Sequence, residues 1–252
     1  MPALICFTMD NLGDAADLGR GVIQQPRQPG MRPALERGFP AMLDLFDRFD
    51  VRITHFVEGW SGEAHPDAIR ELLRRGHSLG MHGWQHENWA ALSDGRAREL
   101  ARRATQALAQ AGGVRPLAFR APGGRRAPNT ARLLTRLGYR IDASLDPGGA
   151  EGGEIRALND KLWTVPYEWL MVDASHWLWK TRSCDEVEGL WRQALDQAAL
   201  QHRPLTFIWH PHIMGIDAGR RAVGENILRY VSEDERFQAV TLEALIRHCQ
   251  RH

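Results

Sequence analysis

The stretch Leu4–Asp10, with the sequence LICFTMD, decides the fold class, because a short apolar run there ends directly on a carboxylate. Such a run predicts a buried β-strand. Strand-like runs also lead into His82, Arg120 and His210, and helical patterns separate them. This alternation predicts a parallel sheet with crossover helices, either a barrel or an open sheet. Polar residues at several strand ends favour a barrel, because barrels place their chemistry at the carboxyl ends of their strands.

The domain organisation is expected to be simple. The 252 residues suit one large α/β domain or two small ones. No linker, internal repeat or low-complexity tract divides the chain, so we expect one catalytic domain over residues 1–252. The glycine-rich stretch Asp146–Asp160 is predicted to be a loop, and Leu162–Val165 and Trp169–Val172 are predicted β segments.

Charge and composition exclude two classes of partner. The 32 basic and 31 acidic residues give a formal net charge of +1. Nucleic acid and anionic membranes require a concentrated basic face, whereas the basic pairs of this chain are short and scattered. We therefore expect neither nucleic acid nor a membrane as a partner. The sequence leaves open whether the chain forms a homo-oligomer.

The cysteines and the N-terminus indicate a reducing compartment. Cys6, Cys184 and Cys249 are far apart and odd in number, and no Cys-x-x-Cys pair exists for zinc or redox chemistry. The first residues lack the basic region and long apolar stretch of a signal peptide. Nor does the chain contain a run of about 18 apolar residues. The expected location is the cytoplasm.

The sharpest local signal for chemistry is the segment Gly80–Glu87, in which His82 and His86 stand four residues apart. Two histidines at this spacing can reach one ion from a helix turn or a tight loop, and neutral imidazole is a common zinc ligand. Taken alone, the pair is better explained as two surface histidines in a loop. The metal interpretation therefore depends on further motifs.

Three more segments at strand ends complete a set: Thr8–Asn11, Arg120–Gly124 and Phe207–His210. Together with His82–His86, they resemble the motifs of the polysaccharide deacetylase family, also called the NodB-homology or carbohydrate esterase four family. The family motifs are Thr-Phe-Asp-Asp, His-Ser/Thr-x-x-His, Arg-x-Pro-x-Gly and a strand ending in His, in the same order. The resemblance runs from about Leu4 to about Leu245. It implies an α/β fold, a distorted (β/α) barrel of seven or eight strands.

The C-terminal part resembles the branch of this family that lacks a signal peptide. His210–Gly215 and Thr241–Glu243 carry this similarity, as does Val165–Trp169 followed by Asp173. The branch includes intracellular peptidoglycan-deacetylase-like, allantoinase-like and cyclic-imidase-like enzymes.

The resemblance implies a divalent metal held by His82, His86 and Asn11. We expect zinc, with cobalt or nickel as alternatives. The metal would activate water and polarise the amide carbonyl. Asn11 departs from the family, which usually has an aspartate at this place. An amide oxygen can ligate a metal but brings no charge, so a weaker metal affinity is expected.

The resemblance also implies an acid and a base. Asp10 would take the proton of the attacking water, and Arg120 would keep this carboxylate charged and oriented. His210 would protonate the leaving nitrogen. A second alignment stays open, because the signal-less branch often shows Asp-x-Asp. In that register Asp10 is the metal ligand and Thr8 occupies the position of the base.

Candidates for substrate contact lie beside these motifs: Trp84, Pro122, Gly123, Asp173 and Trp209. Gly123 stands where secreted family members often have a tyrosine, which suggests a roomier acyl pocket. Trp177 and Trp179 could line a cleft. The polar segment Gly13–Gly30 is predicted to be a loop that covers the site as a lid.

The expected function is hydrolysis of an amide C–N bond, with removal of an acetyl group from an amino sugar or a small acylated intermediate. A cytoplasmic enzyme would meet a soluble small molecule more readily than an assembled polymer. The first alternative is ring opening of a cyclic amide or imide with the same metal and acid. The second is a metal-free protein that only binds a carbohydrate, for which Asn11 is the one supporting residue.

Overall fold

The chain forms one sheet of nine strands with helices between them, in a computed structural model that describes residues 1–146 and 152–251. The strands are β1 (Ala3–Asp10), β2 (Thr54–Val57), β3 (Ser78–Met81), β4 (Ala118–Phe119), β5 (Ile141–Asp142), β6 (Arg156–Asn159), β7 (Leu162–Thr164), β8 (Leu205–Trp209) and β9 (Phe237–Ala239). The helices are α1 (Ala15–Gly19), α2 (Phe39–Arg48), α3 (Gly59–Ala64), α4 (Pro66–Arg74), α5 (Asp94–Gly112), α6 (Thr130–Arg136), α7 (Cys184–Gln201), α8 (Ala218–Glu233) and α9 (Leu242–Cys249).

The sheet order confirms the predicted α/β barrel type. Eight strands follow the order β6-β7-β5-β4-β3-β2-β1-β8, and β9 pairs with the start of β1. The pairs are parallel except for the antiparallel β6–β7 pair. The sheet curls into a half-barrel, so the distorted barrel of seven or eight strands predicted from the motifs is correct.

Strand β1 pairs with β2 on one side and with β8 on the other. Its residues are almost all buried, as the apolar sequence requires. Parallel pairing with β2 sets Asp10 opposite Phe56, and pairing with β8 sets Met9 opposite Trp209. The residues that follow the ends of β1, β3, β4 and β8 therefore meet at one edge, where parallel sheets place their ligands.

Local capping residues determine where helix α5 begins and ends. The side chain of Ser93 accepts a hydrogen bond from the backbone N–H of Arg96 and caps α5, which ends at Gly113 in a left-handed conformation. The apolar face of α2, including Met42 and Phe46, is fully buried against the sheet. Within the described residues, no helix has the length and apolarity needed to cross a membrane.

Two local predictions need correction. The predicted loop Asp146–Asp160 contains strand β6, which gains order by pairing with β7, while residues 147–151 lie outside the described residues. The predicted β segment Trp169–Val172 is a short 3₁₀ turn over Trp169–Met171. Only Val172 retains a β contact, a parallel bridge to Ile208.

Candidate active site

A cavity of about 320 Å³ lies at the carboxyl ends of β1, β3, β4 and β8. It is lined by Asp10, Asn11, His82, His86 and His210, which the sequence analysis assigned to one site. The side chain of Arg120 is buried beneath it. The structure thus brings the predicted motifs together across more than 200 residues of sequence, because parallel strands align their ends.

Asp10 and Arg120 form a buried ion pair. Nη1 of Arg120 donates to Oδ1 of Asp10 at 2.6 Å and to the hydroxyl of Thr8 at 2.9 Å. Its Nε donates to the carbonyl oxygen of Ala143 at 2.9 Å, which fixes the guanidinium. Burial alone would raise the pKa of Asp10, but the charge of Arg120 outweighs it and holds this pKa below its usual value. Asp10 is therefore ionised near neutral pH.

His82 ends strand β3 with a fixed orientation. Its Nδ1 donates to the carbonyl oxygen of Arg120 at 2.9 Å, so the lone pair is on Nε2, which lies 3.9 Å from Oδ2 of Asp10. Burial lowers the pKa of His82 to about 4, and the imidazole is neutral. A neutral ring held through its second nitrogen is typical of a metal-binding histidine.

His86 lies in the turn that follows β3. The carboxylate of Glu87 accepts hydrogen bonds from the N–H groups of Trp84 and Gln85, at 2.9 and 2.8 Å, and closes this turn. Gly83 has a φ of +77°, and a Cβ there would lie 2.8 Å from the Glu87 carboxylate. The rings of His82 and His86 are 5.1 Å apart. Burial, with the charges of His82 and Arg20, lowers the pKa of His86 to about 2.

Asn11 follows Asp10 in a left-handed conformation with a φ of +69° and contacts a residue that the sequence analysis missed. Its Nδ2 donates to Oε1 of Glu58 at 2.6 Å, and the N–H of Leu12 donates to Oε2 at 3.1 Å. Glu58 is fully buried, and burial raises its pKa to about 7. The available signal was its position directly after strand β2, the same kind of position that singled out Asp10.

His210 and Asp173 form a second buried pair. Nδ1 of His210 donates to Oδ1 of Asp173 at 2.5 Å, and the backbone N–H of His210 donates to Oδ2 at 2.7 Å. The bridge between Val172 and Ile208 brings the two residues together. Burial alone would lower the pKa of His210, but the Asp173 carboxylate raises it above its usual value. This pair resembles the carboxylate–imidazole arrangement that fixes the tautomer of a proton donor.

Comparison with known proteins shows which family this chain is similar to. Residues 30–141, somewhat less than half of the chain, match the family model described as polysaccharide deacetylase. A peptidoglycan deacetylase of Helicobacter pylori is 28% identical over 44% of this chain and 38% of its own length. A chitin deacetylase of Colletotrichum lindemuthianum is 33% identical over 42% of this chain and 46% of its own. The match thus spans less than half of either curated relative.

Solved structures of other polysaccharide deacetylase-like proteins agree with the fold. A putative polysaccharide deacetylase from Mycobacterium smegmatis superposes with a TM-score of 0.85 at 23% identity, over 99% of this chain and 90% of that one. The Puue allantoinase superposes with a TM-score of 0.80 at 21% identity, over 98% and 89% of the two chains. At these identities the likeness concerns the fold.

The donor atoms of this site fit a divalent metal, although they do not form a complete carboxylate–imidazole cluster. Across residues 1–146 and 152–251, no three His, Cys, Asp or Glu side chains are placed to hold an ion by themselves. Both imidazoles are neutral, and the 3.9 Å between His82 Nε2 and Asp10 Oδ2 suits two ligands of one ion, each about 2.1 Å away. A further oxygen can come from Asn11, which also lines the cavity. Both registers of the first motif, with Asp10 or Asn11 as the ligand, remain compatible with this geometry.

The predicted substrate contacts fall into two groups. Gly123 lines the cavity, and Pro122 stands between the lining residues Ala121 and Gly123. Trp84 and Trp209 are not among the residues that line it, and both side chains are buried.

The buried residues of the second group have packing and positioning roles. Trp84 lies beneath the guanidinium of Arg103 at 3.6 Å, and Trp209 stacks on Phe46. Asp173, also fully buried, contacts His210 and not the cavity. The roles predicted for these three residues as substrate contacts stay predictions.

An aromatic wall of the cavity was only partly predicted. Trp179 lines the cavity as anticipated and is 60% exposed, whereas Trp177 is buried. The ring of Trp169 lies 4.7 Å from that of Trp179, and Tyr167 continues the same wall. The resemblance of Val165–Trp169 to the signal-less branch of the family indicated this segment, but it did not predict which of its side chains line the cavity.

The predicted lid segment lies over the cavity and contains helix α1. Asp14 is buried and accepts hydrogen bonds from the side chain and the backbone N–H of Arg27, at 2.6 and 2.8 Å. Asp17 forms a further ion pair with Arg27 at 2.7 Å. These contacts are all within the segment and stabilise its conformation, and several of its residues line the cavity.

Proposed function

We propose that this chain is a metal-dependent amide hydrolase that removes an acetyl group from the nitrogen of an amino sugar or a similar small molecule. The observation that carries the proposal is the arrangement of two buried charged pairs, Asp10–Arg120 and Asp173–His210, on either side of the neutral imidazoles of His82 and His86. Similarity to the polysaccharide deacetylase family over residues 30–141 supports deacetylation as the reaction type.

Asp10 has the properties of a general base. Its carboxylate is ionised because Arg120 lowers its pKa, and Oδ2 remains directed towards Nε2 of His82. A base must be within hydrogen-bond reach of the water that it deprotonates. The ion pair through Oδ1 orients the carboxylate and leaves the second oxygen for this step.

His210 has the properties of the acid. Its Nδ1–H is bound to Asp173, so Nε2 is the nitrogen that can exchange a proton with the substrate. The raised pKa of His210 increases the fraction of imidazolium at neutral pH. An imidazolium can protonate the nitrogen of the departing amine, which is otherwise a poor leaving group.

A divalent ion held by His82, His86 and an oxygen of Asn11 or Asp10 would supply Lewis-acid activation of the water and of the amide carbonyl. We propose zinc as this ion, with cobalt and nickel as alternatives. The cavity volume of about 320 Å³ supports a small substrate or the end of a chain.

The test is release of acetate and free amine from N-acetylglucosamine and its short oligomers, with zinc, cobalt or nickel supplied. We expect release by the wild-type protein and a loss of about 10²–10⁴-fold in His210→Ala. His202→Asn is the matched control, because His202 is exposed, lies outside the cavity and has a left-handed conformation that asparagine tolerates. Consumption of a cyclic imide such as succinimide without acetate release would replace deacetylation by ring opening. Binding of the sugar without either reaction would contradict the proposal of an enzyme.

A further inference from the structure

Arg20 places a guanidinium in the cavity without a carboxylate partner. Nη2 of Arg20 lies 3.2 Å from Nδ1 and 3.3 Å from Nε2 of His86. The other two arginines that line the cavity are paired, Arg27 with Asp14 and Asp17, and Arg32 with Glu36. For Arg20, the described parts of the chain provide no such acidic partner.

The position of Arg20 is set by the backbone. Arg20 directly follows α1, and its N–H donates to the carbonyl oxygen of Ala16 at 3.1 Å. The preceding residue, Gly19, packs so closely on the turn between His82 and His86 that a Cβ there would overlap the carbonyl oxygen of Gln85. Only glycine permits this approach. The end of α1 therefore docks against the metal-motif turn and holds the base of the Arg20 side chain beside His86.

The other charges of the cavity are already compensated. The carboxylate of Asp10 is neutralised by Arg120, and that of Asp14 by Arg27. A guanidinium offers two parallel N–H donors that match the two oxygens of a carboxylate. Arg20 is thus an exposed cationic group at the cavity that is suited to a ligand anion.

We infer that Arg20 binds a carboxylate of the substrate, so that the substrate is an N-acyl compound with a carboxylate within a few bonds of the scissile amide. This inference rests on the proposed function. The carboxylate must lie close to the scissile amide, because Arg20 contacts His86 and the ring of His86 is 5.1 Å from that of His82, the other proposed metal ligand. The wall formed by Trp169 and Trp179 would contact the apolar face of the same molecule.

Two matched sugars test the inference. N-acetylmuramic acid carries the acetamido group of N-acetylglucosamine together with a lactyl carboxylate, joined through the hydroxyl oxygen of the neighbouring ring carbon. Binding of each sugar would be measured by titration calorimetry, and acetate release by steady-state kinetics. Both would be measured for the zinc-supplied wild-type protein and for Arg20→Ala, Arg20→Lys and Arg98→Ala. Arg98 is an exposed arginine of α5 outside the cavity and controls for the loss of one positive charge.

We expect the wild-type protein to bind the acidic sugar more tightly, by about tenfold or more. Arg20→Ala should weaken binding of N-acetylmuramic acid by about 10- to 100-fold and change that of N-acetylglucosamine by less than about twofold. The loss should appear in KM and leave kcat within a few-fold. Arg20→Lys should recover part of the affinity, since it keeps the charge but not the paired donors. Arg98→Ala should match the wild type.

Equal affinity of the wild type for the two sugars, or an equal effect of Arg20→Ala on both, would overturn the inference. So would failure of the acidic sugar to bind. Calorimetry does not depend on turnover, so the two proposals can fail separately. Selective, Arg20-dependent binding of the acidic sugar without acetate release would retain the carboxylate site and reject deacetylation. Acetate release at equal efficiency from both sugars would retain deacetylation and reject the carboxylate site.

Discussion

The contact between Asn11 and Glu58 predicts that restoring the usual aspartate of the family would destabilise this chain. In Asn11→Asp, an oxygen replaces the Nδ2 that now donates to Glu58 at 2.6 Å. Both side chains are buried, at 7% and 0% exposure, so water cannot screen the two carboxylates. Loss of the charge-assisted hydrogen bond and the new repulsion should cost about 3–5 kcal/mol of unfolding free energy at pH 8.

A second substitution should reverse this loss. In Asn11→Asp with Glu58→Gln, the new amide would donate to the carboxylate introduced by the first substitution while its oxygen accepts from the N–H of Leu12. Each hydrogen bond of the present arrangement therefore has a counterpart. We expect the double variant to lie within about 1–2 kcal/mol of the wild type. Glu58→Gln alone presents one amide oxygen to two donors and should cost about 1–3 kcal/mol.

The assay is urea unfolding of the four proteins, with zinc affinity measured on the same samples. Asn129→Asp is the matched control, because Nδ2 of Asn129 also donates to a carboxylate, that of Asp94 at 3.1 Å, but on the exposed surface. Its cost should stay below about 1 kcal/mol. If the double variant loses as much unfolding free energy as the two single variants together, the reasoning is refuted. If Asn11 is a metal ligand, the double variant should also bind zinc more tightly than the wild type.

Four further outcomes follow from the site. His82→Ala or His86→Ala should abolish zinc binding and activity together, and full zinc occupancy by elemental analysis would remove that histidine from the coordination sphere. Asp10→Asn should keep the metal but stop turnover if Asp10 is the base, whereas loss of zinc would assign it as a ligand. His210→Ala should retain zinc and lower kcat by about 10²–10⁴-fold, and a rate near that of the wild type would mean that another residue is the acid. Asp173→Asn should move the alkaline limb of the kcat/KM profile to lower pH, because Asp173 raises the pKa of His210 and the protonated acid is lost as pH rises. If the alkaline limb stays at the same pH, Asp173 does not control the protonation of His210.

The barrel and the central residues of the site could be predicted, because both depend on the local hydrophobic pattern and on the order of the motifs along the chain. Apolar runs that end on Asp10, His82 and Arg120 specify strands and their polar ends, and parallel pairing then brings those ends together. The structure confirms the α/β fold type. The ion pair between Asp10 and Arg120, anticipated from the family motifs, is present at 2.6 Å.

The side-chain partners could not be predicted, because they depend on which face each residue presents. Trp209 lies in the strand that leads to His210, yet its side chain points into the core and stacks on Phe46. Asp173 was noticed as a pocket residue, but only the bridge between Val172 and Ile208 turns it towards His210. Arg20 and Glu58 carry no motif, and their contacts arise from packing between elements distant in sequence.

The pairing of β1 with β8 has a consequence for how the chain is made. The hydroxyl of Thr8 donates to the carbonyl oxygen of Phe207, 199 residues further along the chain. At about 5–20 residues per second, the ribosome would need roughly 10–40 s to supply that partner after β1 has emerged. During this interval the apolar edge of β1 has no strand on one side, which exposes it to aggregation. A nascent chain would already carry Asp10 and His82 but would lack His210, so the proposed site would stay incomplete until the end of β8 has emerged.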